Sequence, residues 1–128
     1  MNPNDPLTWM TKGDRDLGVV RIVLAESKEY SDLVCYHCQQ AAEKYLKALQ
    51  LHFGQPVKKT HLLEMLLDLL SPHVPMDDEV YEKALMLQEY AVGIRYPNPF
   101  ADPTEEEVRE ALAAAEFFRD FAQNILAV

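Results

Sequence analysis

The sequence predicts an all-α protein: an up-and-down antiparallel helical bundle of four main helices plus a short or fifth C-terminal element. Apolar residues recur at spacings of three and four, which is typical of helices packed on one side. No stretch alternates as a strand would, and Gly, Pro and Ser divide the chain into segments of helix length. The 128 residues fit one domain, and 48% apolar residues with only four glycines suit a compact helical fold.

Residues 1–6 are predicted to form a flexible arm ahead of a first helix over residues 7–25. Trp9, Leu17, Val20 and Leu24 lie on the predicted buried side of that helix. The short connection over residues 27–31 then predicts that the first two helices are antiparallel neighbours.

A second helix is predicted over residues 32–53, and it organises the rest of the chain. Its apolar residues fall within an arc of about 160°, which is typical of a helix packed into a core. They are Val34, Cys35, Cys38, Ala41, Ala42, Tyr45, Leu46, Ala48, Leu49 and Phe53. The opposite arc carries His37, Gln39, Gln40, Glu43, Lys44, Lys47 and Gln50. Gly54 and Pro56 end the helix.

Within the polar arc, four side chains share one ridge because they repeat at steps of three and four. They are His37, Gln40, Lys44 and Lys47. This ridge is a candidate anion-binding surface. The alternative interpretation is a solvated helix face that carries one ordinary Glu43–Lys47 pair.

A third helix is predicted from Thr60–His61 to Ser71–Pro72, and His61 either caps or packs this helix or belongs to an anion site. The fourth helix is predicted from Asp77 or Asp78 to about Ile94. Its outer stripe consists of Tyr81, Leu85 and Val92. An apolar row between charges usually marks a partner surface, so this stripe is predicted to be a homodimer interface.

Arg95 follows the fourth helix in a proline-stiffened turn, and its guanidinium group suits phosphate. Two overlapping capping boxes over residues 102–107 then predict the start of the last helix. The acidic first turn of that helix complements its dipole and needs no functional explanation.

The net charge of −9 argues against broad wrapping of nucleic acid. Between Leu33 and Leu63, however, four lysines stand against Glu43 alone, which favours a small anionic ligand or a complementary protein. Cys35 and Cys38 have the spacing of a metal pair, but they lie in the apolar arc and no second pair exists. No metal and no cofactor are therefore predicted.

No apolar run of 18 residues and no export leader occurs in the sequence. With only two cysteines, this predicts a cytoplasmic protein that does not enter a membrane.

The segment from His37 to Leu49, above all its QQAAEKxLKAL pattern, resembles the signature helix of the HEPN family (higher eukaryotes and prokaryotes nucleotide-binding). The helix start at Thr60–His61 and the Arg95–Tyr96–Pro97 turn are also similar to this family. The resemblance implies a homodimer and a small nucleotidyltransferase-type protein partner, as in toxin–antitoxin or nucleotidyl-transfer gene pairs.

Catalytic HEPN proteins are RNases that pair an arginine with a histidine, with four to six residues between the two. After Arg95 those positions hold Phe100, Ala101 and Asp102. The resemblance therefore implies no catalytic residue here, and it carries over Arg95, with Asn98 as its polar neighbour, only as binding residues. The complete predicted nucleotide or phosphate site is His37, Gln40, Lys44, Lys47, His61, Arg95 and Asn98.

The leading functional hypothesis is a noncatalytic nucleotide- or RNA-associated binding module that works with the nucleotidyltransferase partner. One alternative is a metal-independent RNase that uses Arg95 with an unrecognised base such as His37 or His61. The other alternative is a purely structural dimeric scaffold.

Overall fold

A computed structural model describes residues 2–91 and 101–128 of the chain. Its five helices are α1 (Pro6–Glu26), α2 (Ser31–His52), α3 (Leu63–Leu70), α4 (Asp78–Gln88) and α5 (Glu105–Leu126), and the described residues contain no strand. The predicted all-α helical bundle is confirmed. Helix α2 begins and ends within one residue of its predicted bounds.

Helix α2 forms the centre of the bundle because nearly all of its apolar arc is buried. All ten apolar residues predicted for this arc except Phe53 are buried. Helix α1 packs antiparallel to α2, and its Gly13 allows this close approach. A Cβ atom at Gly13 would lie 2.7 Å from the Tyr45 ring, so only glycine fits at this crossing.

Helix ends follow local signals where the sequence offers them. Asp5 accepts a hydrogen bond from the amide of Leu7, and α1 begins at Pro6, one residue before its predicted start. Asp77 caps α4 in the same way. Thr104 and Glu107 form the second of the two predicted capping boxes, and Gly54 adopts a positive φ of 76° after α2.

Two predicted helix ends are wrong. Helix α3 begins at Leu63 rather than near Thr60, because residues 53–62 are held as an extended connection by side chains of α2. Helix α4 ends at Gln88 rather than continuing towards Ile94. There the chain changes to a turn with three-residue hydrogen bonds, which buries Tyr90.

The connection over residues 53–62 runs back along α2. The Gln50 side chain accepts from the amide of Lys58, and the Gln39 side chain, about 16 Å earlier along α2, donates to the carbonyl of His61. Near the start of the connection, the Gln55 side chain donates to the carbonyl of Leu69, which lies near the end of α3. Helix α3 therefore points in the same direction as α2, and the return connection covers part of the predicted polar face of α2.

Candidate functional site

Two buried carboxylates organise the polar residues of α2, and each binds one lysine and one histidine. Asp16 on α1 lies 2.9 Å from His37 Nδ1 and 2.5 Å from Lys44 Nζ. We call the whole group the α2 polar cluster. It consists of Asp16, His37, Gln39, Gln40, Glu43, Lys44, Lys47 and His61.

Glu43 is the second carboxylate, and it joins α2 to the connection that precedes α3. Its Oε2 lies 2.9 Å from Lys47 Nζ, and its Oε1 lies 2.9 Å from His61 Nδ1. The Glu43 and Lys47 side chains are only 5% and 8% exposed. The Glu43–Lys47 pair is thus present, but the alternative interpretation of a solvated helix face does not hold for it, because both side chains are enclosed. The Trp9 ring of α1 lies 5.9 Å from Lys47 Nζ.

Glutamines of α2 satisfy polar groups that the return connection would otherwise bury unpaired. Gln39 is fully buried; it donates to the carbonyl of His61 and accepts from Gln40 at 2.8 Å. Gln50 accepts from the backbone of Lys58. An unpaired buried polar group costs about 1–3 kcal/mol, so these contacts decide whether the connection can pack against α2.

Glu43 is ionised in the folded protein. Its burial would raise the pKa of the carboxyl group, but hydrogen bonds from Lys47 and His61 favour the charged form more strongly. The net effect lowers the pKa of Glu43 below its ordinary value. The stability of this part of the bundle therefore depends on a charge that lies almost entirely out of contact with water.

An ionised Glu43 also fixes the tautomer of His61. The carboxylate can only accept, so His61 Nδ1 carries a proton and donates it, which leaves the lone pair of the neutral ring on Nε2. The His61 side chain is 64% exposed. Asp16, whose other oxygen accepts from Lys44, orients His37 in the same way, and the His37 side chain is 32% exposed. The cluster therefore holds two oriented imidazoles.

The structure brings five of the seven predicted site residues into the α2 polar cluster. Arg95 and Asn98 lie outside the described residues. Lys44 and Lys47 are not free cations, because Asp16 and Glu43 neutralise them. The expected cationic ridge is therefore internally balanced.

Asp16 belongs to the cluster although the sequence did not predict it as a site residue. A signal for it exists, since Asp16 directly precedes Leu17 on the buried side of α1 and would be an unpaired buried charge without a partner.

The model of the HEPN domain family matches residues 7–125. This chain belongs to the HEPN family.

Two solved structures show the same fold as this HEPN chain. TT1696 from Thermus thermophilus is 28% identical, with a TM-score of 0.83 over 94% of this chain and 98% of its own. ST0689, an archaeal HEPN homologue, is 25% identical, with a TM-score of 0.75 over 97% of this chain and 98% of its own. No curated protein sequence matches the chain significantly.

Both cysteines of this HEPN domain are buried core residues. Cys35 and Cys38 are 0% exposed, and burial raises the pKa of the Cys38 thiol far above its ordinary value. In residues 2–91 and 101–128, no three side chains of the metal-ligating types come together. None of the helices described there is both long and apolar enough to cross a bilayer.

The predicted dimer stripe of α4 is only partly described. Tyr81 is half-buried, and its hydroxyl donates to Asp68 at 2.7 Å, a bond that raises the pKa of Tyr81 to about 12. Leu85 is 42% exposed. Val92 lies beyond the described part of the chain.

Proposed function

We propose that this HEPN chain is a nucleotide- or RNA-associated binding module that does not cleave RNA by itself. The observation that carries this proposal is the exposed imidazole of His61, which the buried Glu43–Lys47 pair holds in one orientation. Lys58 and Lys59 precede it on the same short connection, and both are exposed. A surface histidine without a function does not require a fixed ring orientation, whereas His61 is held in one orientation by a buried ion pair.

The return connection concentrates positive charge on an otherwise acidic protein. Lys58 and Lys59 have no carboxylate partner within the described chain. Two unpaired lysines, two and three residues before an oriented imidazole in the sequence, suit the phosphate of a nucleotide or a short stretch of RNA, whereas the net charge of −9 opposes longer contacts. Arg95 and Asn98 belong to this proposal as further phosphate-binding residues.

Ligand binding is the first test of this proposal. We expect the double variant Lys58→Glu/Lys59→Glu to weaken the binding of labelled single-stranded RNA or ATP by about tenfold or more, since two phosphate contacts become repulsive. Fluorescence anisotropy at fixed ionic strength measures the effect. Arg109→Glu on α5 is the control, since Arg109 is equally basic and exposed but lies on another helix.

Wild-type protein that binds neither RNA nor nucleotide would contradict the binding proposal and favour a structural scaffold.

We also propose that the natural partner is a small nucleotidyltransferase-type protein and that the pair acts in a toxin–antitoxin-like or nucleotidyl-transfer system. Purification of the intact protein from its own host, followed by identification of co-purifying protein and nucleotide, tests this part of the proposal.

A second candidate function, metal-independent RNA cleavage, is favoured by one observation. The His61 side chain is 64% exposed and Glu43 holds its Nδ1, which leaves Nε2 to accept a proton from a 2′-hydroxyl group. Against it, no histidine follows Arg95 with four to six residues between the two.

We expect wild-type protein to leave labelled tRNA and mRNA intact in the presence of a chelator. The reason is that no imidazole follows Arg95 at the spacing found in catalytic relatives. Gel analysis of nuclease-free preparations measures the outcome. Cleavage that disappears in both Arg95→Ala and His61→Ala would instead establish the RNase function and assign His61 as the base.

A further inference from the structure

A cavity of about 280 Å³ lies between the second half of α1 and the start of α2. Helix α1 contributes three valines to its lining, α2 contributes Leu33, Val34 and His37, and Tyr30 lies just before α2. None of the lining residues belongs to the connection over residues 53–62. The cavity is therefore distinct from the basic surface of that connection, on which the proposed function rests.

The cavity has a buried floor and a mouth that is open to solvent. Val20 and Val34 are buried, whereas Val19, Tyr30 and Leu33 are each between 42% and 50% exposed. The floor belongs to the hydrophobic core, and the exposed side chains at the mouth are aliphatic or aromatic. A small molecule can therefore enter from solvent and displace water from apolar surface, which is favourable.

His37 supplies a hydrogen-bonding group of fixed orientation to this apolar lining. Its Nδ1 lies 2.9 Å from the Asp16 carboxylate, and the Tyr36 ring packs edge-on against the imidazole with 5.4 Å between the ring centroids. Because the carboxylate accepts the Nδ1 proton, the neutral ring keeps its lone pair on Nε2. Any hydrogen bond between His37 and a molecule in the cavity therefore uses Nε2 as the acceptor.

The size and chemistry of the lining restrict the ligand. The cavity volume is close to the lower end of the range for ligand sites, about 300 Å³, which suits a molecule of one or two rings. The Tyr30 ring at the mouth favours an aromatic molecule, because aromatic rings attract one another at their edges and faces. Apart from His37, no lining side chain ionises near neutral pH, so a charged ligand would lose its hydration without gaining a counter-charge.

We propose that this cavity binds a small, uncharged aromatic molecule that carries one N–H or O–H donor and has the size of an indole or a phenol. The ring of the ligand packs against the valines of α1 and the aliphatic residues of α2, and its donor bonds to His37 Nε2. This site goes beyond the proposed function, because it needs neither a phosphate group nor the lysines of the return connection.

A matched pair of ligands tests the hydrogen bond to His37. Fluoroindole and the fluorobenzofuran of the same shape differ in that only the indole carries an N–H donor, and fluorine NMR titration of the intact protein measures both affinities. We expect fluoroindole to bind with a dissociation constant of roughly 0.1–1 mM, as for other ligands of its size, and fluorobenzofuran to bind about tenfold more weakly.

The variant His37→Phe assigns this difference to the imidazole. Asp16 keeps Lys44 as its partner in the variant, so the contact between α1 and α2 retains its charge pair. We expect the two ligands to bind His37→Phe with equal affinity, because the acceptor is gone while the apolar lining remains. A preference for fluoroindole that persists in His37→Phe would overturn the assigned hydrogen bond.

Two substitutions at the mouth test the location. Val19→Trp and Leu33→Trp, made separately, should each weaken the binding of both ligands by about tenfold or more, because the added ring occupies the cavity from either side. Ile22→Trp is the matched control, since Ile22 is an exposed apolar residue of α1 that does not line the cavity, and we expect it to bind like wild type. Circular dichroism checks that all three variants remain helical.

Four results would overturn the proposed site. They are no binding of either ligand to wild-type protein, equal affinities of wild type for the two ligands, unchanged binding in both Val19→Trp and Leu33→Trp, and an equal loss in Ile22→Trp. Release of bound fluoroindole as the protein concentration rises would also overturn it, because another protein chain would then cover the cavity. The RNA-binding assay with Lys58→Glu/Lys59→Glu is independent of all these measurements, so the two proposals can fail separately.

Discussion

We expect Glu43→Ala to lower the free energy of unfolding by about 3–5 kcal/mol, because it leaves the buried Lys47 ammonium group without a counter-charge. The same change removes the acceptor that holds His61. Chemical denaturation followed by circular dichroism measures the loss. A protein at the lower end of ordinary stability, about 5 kcal/mol, would be close to unfolded at room temperature after this single change.

The chain contains a matched control for this prediction. Glu79 and Lys83 on α4 form the same four-residue pair at 2.7 Å, but the Glu79 side chain is 66% exposed. We expect Glu79→Ala to cost no more than about 1 kcal/mol, because exposed pairs are screened by water and salt. Equal losses for the two variants would contradict the enclosed position of the Glu43–Lys47 pair.

The pH dependence of stability supplies a second measurement on Glu43. Its pKa is lowered on folding, so its contribution is complete above the unfolded pKa of about 4.3 and is lost as the pH falls through the lower, folded value. Wild-type protein should therefore lose stability below about pH 4.3, and Glu43→Gln should lose less over that interval. Parallel pH profiles would show that other carboxyl groups control acid unfolding.

The second large effect is expected for Ala42→Asp. Ala42 is 0% exposed in the apolar arc of α2, and an unpaired carboxylate at this position costs several kcal/mol. The variant should unfold or aggregate. Thermal melts and the soluble yield measure this result.

The same substitution at an exposed alanine separates burial from helix propensity. Ala113 lies in the middle of α5 and is exposed, so Ala113→Asp should cost only about 0.7 kcal/mol of helix propensity. A similar loss at both positions would contradict the assignment of the buried face. The sequence alone would predict that Lys44→Glu leaves the fold intact and could serve as a neutral control. The structure shows otherwise, because this change would place a second carboxylate against the buried Asp16.

Local and periodic features were predictable because the information for them lies close together in the chain. The bounds of α2 follow from its apolar period and from Gly54, which takes the left-handed conformation required at the helix end. The start of α5 follows from Thr104 and Glu107, which form a capping box three residues apart. The QQAAEK pattern was sufficient to indicate the family that the comparisons confirm.

The polar side of α2 was predicted incorrectly because a helical wheel separates apolar from polar residues, not buried from exposed ones. Glu43 and Gln39 are buried because the connection over residues 53–62 returns along α2 and presents backbone groups and His61 to them. The contact between Gln39 and His61 spans 22 residues. No local pattern specifies such a contact.

The sequence by itself determined which segments are helical, the caps of α4 and α5, the apolar arc of α2 and the HEPN family, since each depends on residues only a few positions apart. Only the tertiary structure decided which charges are neutralised and which histidine ring nitrogens contact a carboxylate. Asp16 meets His37 and Lys44 from 21 and 28 residues away, and these partners exist only after α1 has packed against α2. The free energy of a charge depends on all the groups around it, so its role is settled by the folded chain and not by its neighbours in sequence.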